Sequence, residues 1–310
     1  MYNLNRNIVY LTLILTFILV LINFGMPFKS NMKPNISLTE WVAVEPITSK
    51  PHKLRFAIAS MVSAEETWLT YKKLIDYVSN HLGNKASMVL PPSYSDVRVL
   101  LEEKMVDIAL ICTGTYIACS MQETIELLVV PEFKNGLKYR CLFVVNSELS
   151  INNLSGLEGK SFAFTDAESN TGCIVPSWII LKQGKNLKEY FSKIIYTGSH
   201  DRSLHAVSKG LVDGAGVDSL IYYSFIETHP ELKKRLKIVW ESEPFGPPPI
   251  VVPTGMPNSK KEKLRNILLT MSHDEVGQEI LENIGISHFK IAETKEYDSA
   301  YSVWKMINSQ

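Results

Sequence analysis

The sequence predicts an α/β protein built as two lobes, each with its own open sheet, joined by two crossover segments. Three observations carry this. From Lys53 onward, short apolar strands alternate with helices of 3.6-residue periodicity, the pattern of a parallel or mixed sheet. Two stretches, "LLEEKMVDIALI" and "HAVSKGLVDGAGV", share one plan: a helix, a tight turn, then Val-Asp-x-Ala in a strand (Val106–Ala109 and Val212–Ala215). Two further segments, "YRCLFVVN" (Tyr139–Asn146) and "LKIVWESEPFGPPPIVVP" (Leu236–Pro253), read as strands that carry the chain out to a second lobe and back.

In order along the chain, "LRFAIAS" (Leu54–Ser60) is a short apolar strand. "SAEETWLTYKKLIDYVSNHLG" (Ser63–Gly83) is a helix with Trp68, Tyr71, Leu74, Ile75, Val78 and Leu82 on one face. Ser63 with Glu66 three residues on suggests a capping box, and Gly83 a stop. "ASMVL" is a strand, Ser93–Met105 a helix, and "VDIALI" (Val106–Ile111) a strand. "FAFTD" and "IIYTG" end further strands. Helices near Lys260–Met271, His273–Ile284 and Tyr297–Ile307 finish the first lobe. The expected division is 53–143 plus 246–310 for lobe one and 144–245 for lobe two. Two linkers between lobes make a hinge with a cleft.

With 310 residues, 45% of them hydrophobic, the chain can bury two real cores. Its formal net charge is zero, so no basic field attracts nucleic acid. The densest basic clusters, "KKRLK" (Lys233–Lys237) and "KKEKLR" (Lys260–Arg265), read as solvated helix faces. The four cysteines (Cys112, Cys119, Cys141 and Cys173) lack the spacing of a zinc site and read as small buried side chains. No metal and no cofactor is expected.

Residues 1–28 differ from the rest. "IVYLTLILTFILVLINFG" (Ile8–Gly25) is uncharged and apolar at nearly every position. At a rise of about 1.5 Å per residue it just spans a hydrocarbon core. It is long for a signal peptide and no small-x-small cleavage site follows, which favours an uncleaved membrane anchor over a cleaved signal. Residues 29–52 are polar and proline-punctuated, a linker that lets a domain stand off the membrane.

In open α/β sheets ligands bind beyond the carboxyl ends of the strands. The turns found there are "PPSYSD" with Tyr94, "CTGTY" with Thr113 and Tyr116, "AESNTG" with Ser169, Asn170, Thr171 and Gly172, "SHDRS" with His200, and "DSL" with Asp218. Each supplies hydroxyls or free N–H groups at a helix start, where unsatisfied donors and the helix dipole suit an anion. Any one such turn is an ordinary N-cap. Five of them at the same end of the strands suggest an oxyanion site. Tyr94, Tyr116 and Tyr139 each offer a ring and a phenol to a polar ligand. An enzyme is not expected: no nucleophile elbow, P-loop or dinucleotide fingerprint is present, and Asp201 adjoins His200 too closely in sequence to orient it.

The ordered set "FAFTDAESNTGCIVPSWIILKQG", "YTGSHDRSLHAVSKGLVDGAGVDSLIY" and "KIVWESEPFGPPPIVV" resembles the phosphonate/phosphite/phosphate-type substrate-binding proteins of ABC transporters, over about Leu54 to Ile291. The resemblance implies a type II periplasmic-binding-protein fold, an oxyanion held in the cleft, hinge closure and delivery to an ABC permease by an extracytoplasmic monomer. It places the family's Ser-Thr-Ser-Gly oxyanion turn on Ser169-Asn170-Thr171-Gly172, its histidine on His200 and its cleft tyrosines on Tyr94 and Tyr139. Acidic residues that grip an aminoalkyl ligand fall here on Leu220 and within "FGPPP", where no acid stands, although Asp218 lies two residues before Leu220. A smaller or uncharged-tail oxyanion is therefore expected. The alternative on the same fold is a tethered sensor feeding a signalling kinase or cyclase.

Overall fold

The computed structural model describes residues 53–136 and 138–308. The predicted membrane segment and linker lie outside the described residues. Among the described residues no helix is long and apolar enough to cross a membrane.

The chain folds as two α/β lobes. The first opens with β1 (Leu54–Ile58), α1 (Ala64–Leu82), β2 (Ala86–Val89), α2 (Tyr94–Glu102), β3 (Ile108–Leu110), α3 (Thr113–Met121) and β4 (Ile125–Phe133). The second contains β5 (Cys141–Asn146), β6 (Ser161–Phe164), α4 (Val175–Lys182), β7 (Lys193–Tyr196), α5 (His200–Ser208), β8 (Gly214–Asp218), α6 (Ser219–Thr228) and β9 (Leu236–Glu241). The return adds β10 (Ile250–Pro253), α7 (Asn258–Thr270), α8 (Glu275–Asn283), β11 (Ile286–Lys290) and α9 (Asp298–Asn308). The sheet orders are β11-β4-β10-β3-β1-β2 and β7-β6-β8-β5-β9. In each sheet the βαβ neighbours pair in parallel, and the crossover strands β10 and β5 pair antiparallel.

The Val-Asp-x-Ala echo has a physical basis. Asp107 stands just before β3, and its carboxylate accepts the Arg55 N–H of β1 at 2.8 Å while its own N–H donates to the Arg55 carbonyl at 2.9 Å. Asp213, before β8, does the same to Ser161 of β6, at 2.8 Å and 3.1 Å. Each aspartate thus fixes the register of its parallel neighbour by closing both backbone groups at the strand entrance.

α1 departs from its predicted face. Leu74, Ile75, Val78 and Leu82 are buried, but Trp68 is 46% exposed and Tyr77 is buried instead. The helix packs on α7 and α8 as well as on the sheet. That second contact buries Tyr77, whose hydroxyl bonds the Asp274 carboxylate at the start of α8. Nor does the Ser63 side chain cap this helix. Its N–H instead reaches across the cleft to Asp201, 3.1 Å from both carboxylate oxygens. Gly83 ends the helix with φ +76°, as a stop in the left-handed region does.

The last helix bridges both lobes. Ala300 of α9 is buried in the first core and Val303 in the second. Trp304 packs against both. The two crossovers also hold each other, Phe245 N–H donating to the Tyr139 carbonyl at 2.9 Å.

Candidate functional site

The five predicted turns all begin helices, and four of them, those of Tyr94, Ser169, His200 and Asp218, meet at one place. Ser169 leads a wide turn in which the Ile174 N–H reaches back five residues to the Ser169 carbonyl at 2.9 Å. The Ser169 hydroxyl accepts the Gly172 N–H at 3.0 Å. A Cβ on Gly172 would lie 2.4 Å from the Thr165 hydroxyl and 2.8 Å from that of Ser169, so only glycine fits. Ser169, Asn170 and Thr171 are at most 1% exposed.

His200 stands against this turn. Its Nδ1 accepts the Asp218 N–H at 3.2 Å, with the Thr165 hydroxyl 3.1 Å away, and its Nε2 lies 3.4 Å from the Ser169 hydroxyl. Burial pushes His200 down to about 3, so the ring is neutral at physiological pH. With Nδ1 accepting a backbone N–H, the proton sits on Nε2 and is offered toward the turn. The donor role expected of a helix-start histidine is thus open to His200 as a neutral ring.

The tyrosines complete the wall. Tyr94 is fully buried, and its N–H donates to Asp166 Oδ2 at 3.2 Å across the cleft. Tyr139 is 2% exposed, with its hydroxyl 3.5 Å from that of Thr171. Burial holds both phenols well above their ordinary range, so both are neutral. The Tyr94 hydroxyl and the Asn170 side-chain nitrogen are buried without a hydrogen-bond partner of good geometry. The Ser169 side chain lies close to the Tyr94 phenol, and that of Asn170 close to the Tyr139 phenol.

Asp218 is 3% exposed and caps α6 through Leu220 N–H at 2.7 Å. Burial pushes its carboxyl up to about 7, against the lowering effect of the Leu220 and Ile221 N–H groups. Its charge still reaches Tyr94 and Tyr139 on one side and Tyr71 on the other.

Thr113 and Tyr116 are placed elsewhere. The Thr113 hydroxyl donates to the Gly246 carbonyl in the return crossover at 2.8 Å. Tyr116 packs on Tyr297 with ring centroids 4.4 Å apart. Both tie α3 to the hinge side.

The sequence reading gives Asp166 and Glu168 no role, and Cys112 figures in it only as a small buried side chain, which it is. Cys112 precedes α3, and its sulfur accepts N–H groups of Asn170 and Gly114; burial pushes the thiol up to about 11. Glu168 joins the lobes, accepting from Arg98 Nε at 2.9 Å and the Thr115 hydroxyl at 3.3 Å. Gly114 allows this approach: a Cβ there would sit 2.1 Å from the Glu168 carbonyl oxygen. The His200 N–H donates to the Met61 carbonyl at 3.0 Å, another bond between lobes. Such partners lie up to 139 positions apart and leave no local signal, although an acid beside the "SNTG" turn was there to be noticed.

What the arrangement offers is a dry set of neutral donors and a helix start, the nearby Arg98 guanidinium being engaged by Glu168 and Glu102. Burial strengthens such donors toward an anion and costs nothing in reorganisation. The family described as "ABC transporter, phosphonate, periplasmic substrate-binding protein" matches residues 56–297. This chain belongs to that family. As a phosphonate-family substrate-binding protein of an ABC transporter, it is extracytoplasmic. It is 21% identical over 60% of its length, and 67% of the other's, to a probable ABC transporter phosphite-binding protein of Prochlorococcus marinus. It is 22% identical over 83% of its length, and 79% of the other's, to the phosphonates-binding periplasmic protein of Escherichia coli. The phosphonate-transporter binding component of Pseudomonas aeruginosa superposes with a TM-score of 0.78 at 19% identity, covering 82% of this chain and 86% of that one. A Prochlorococcus marinus binding protein solved with methylphosphonate gives a TM-score of 0.75 at 18% identity, covering 84% and 100%. These likenesses show the type II periplasmic-binding-protein fold.

Proposed function

We propose that this family member holds the oxyanion head of a small phosphonate or phosphite between Ser169, Asn170, Thr171 and the Gly172 turn on one side and Tyr94, Tyr139 and His200 on the other, and passes it to an ABC permease. The observation that carries the reading is the pair of buried donors without a partner of good geometry, the Tyr94 hydroxyl and the Asn170 amide. A buried donor left unpaired costs about 1–3 kcal/mol, and an anion between them removes that cost. Binding is by lobe closure, with no covalent step. Thr113, Tyr116 and Asp218 take supporting places: the first two brace the hinge and the third anchors His200.

The apolar segment Ile8–Gly25 holds the protein at the outer face of the membrane, and it works as a monomer. Extraction of membranes with alkaline carbonate tests the tether, which fails if the protein is released. Light scattering of the detergent-solubilised chain tests the monomer. The central test is calorimetric titration of the full-length protein with phosphite, methylphosphonate and sulfate. Binding of neither phosphorus anion would sink the reading.

A further inference from the structure

A second compartment adjoins the anion site. It is a chamber of about 80 Å³ between the lobes, and Asp218 is part of its wall. By the same measure one water needs roughly 10–15 Å³, so a short chain of carbon atoms has room. The wall is otherwise largely apolar, including Leu110 and Ile250 from the first sheet, Leu220 and Ile221 from α6, and Pro248 from the crossover. Asp218 links the two spaces, because its N–H holds His200 against the oxyanion turn while its carboxylate acts on Tyr71 in the chamber wall.

We infer that this chamber takes the tail of the ligand and selects a short uncharged hydrocarbon, so that the preferred ligand class is alkylphosphonates with two or three carbons rather than bare phosphite or an aminoalkylphosphonate. The inference rests on the oxyanion reading above and adds the second half of the ligand. An ammonium group brings three N–H donors into the chamber. The single carboxylate there already receives the Leu220 and Ile221 N–H groups at the start of α6. Burying an ammonium without enough acceptors is costly, whereas burying methylenes is favourable.

The test is calorimetry of the full-length protein with phosphite, methyl-, ethyl- and propylphosphonate, and 2-aminoethylphosphonate. Affinity rises about fourfold for each carbon added, the effect of burying one methylene. Propylphosphonate binds at least tenfold tighter than its amine isostere. Leu220→Trp, which fills the chamber, cuts the propyl-to-phosphite affinity ratio at least tenfold. Tighter binding of 2-aminoethylphosphonate than of propylphosphonate overturns the inference, as does an affinity that stays flat or falls along the series. If neither phosphite nor any phosphonate binds, the oxyanion reading fails as well; if phosphite binds without a gain along the series, only the chamber is misread.

Discussion

The carboxylate of Asp166 joins the two lobes at the lip of the site: one oxygen accepts the Glu168 N–H within its own lobe at 2.9 Å, and the other accepts the Tyr94 N–H from the opposite lobe at 3.2 Å. Tyr94 is therefore held by its backbone, and its hydroxyl is the donor assigned to the oxyanion in the proposed function.

Removal of that hydroxyl separates binding from folding. Tyr94→Phe takes away a buried donor that has no good partner in the protein, so thermal stability of the free form stays level or rises by up to about 1 kcal/mol. A hydrogen bond to a charged group is worth about 1.5–3 kcal/mol, so methylphosphonate affinity falls roughly 10- to 100-fold. Paired melting and titration curves check both halves. A stability loss with unchanged affinity would mean the phenol is structural.

Gly114→Ala addresses closure. The added methyl would meet the Glu168 carbonyl at 2.1 Å, which the two lobes can relieve only by parting. Alanine is the better helix former by about 1 kcal/mol, so unfolding of the open form is not hastened. Ligand affinity falls at least tenfold, and small-angle scattering with ligand present shows a larger radius than for the parent.

Two buried groups in one hydrogen-bonded pair pull stability in opposite directions with pH. His200 falls from 6.5 to about 3 on folding, so below pH 6.5 the unfolded chain binds more protons and this contribution is lost as pH falls. Asp218 rises from 3.8 to about 7, so its contribution is present at low pH and lost as pH rises toward 7. Between about pH 4 and 6.5 the two slopes cancel. His200→Gln exposes the falling slope of Asp218, and Asp218→Asn the rising slope of His200, each up to about 1.4 kcal/mol per pH unit. Urea unfolding at a series of pH values reads the change; parallel profiles for parent and variants would refute it.

The repeated aspartate clamp predicts matched losses. Asp213→Ala leaves the Ser161 N–H and hydroxyl without their acceptor and costs about 1–3 kcal/mol in the second lobe. Asp107→Ala strips Arg55 and Lys260 of a shared carboxylate and costs at least as much in the first. Hydrogen exchange resolved by lobe tells the two apart.

The two-lobe plan, the cap residues at the strand ends and the neighbours of the "SNTG" turn were legible because each is a local pattern. β4 was not. Its nine residues, "IELLVVPEF", carry Glu126, Pro131 and Glu132, which spoil the appearance of a buried strand. Pro131 is tolerated because pairing with β10 has ended at Val129 and only β11 continues alongside. The helix starts revealed where an anion could lie, but not which of them converge. Thr113 and Tyr116 have the same chemistry as Ser169 and Tyr94, and only packing turns them toward the crossover and α9. The neutral state of His200 was equally hidden, since burial rather than residue type decides it.

α9 adds a constraint on motion. With Ala300 seated in one core and Val303 in the other, the lobes are belted together along their back as well as joined through two ribbons. In the proposed closure the molecule is a book whose spine has been taped: the angle between the pages is limited by how far the tape can slide. α9 would thereby set the amplitude of the proposed closure.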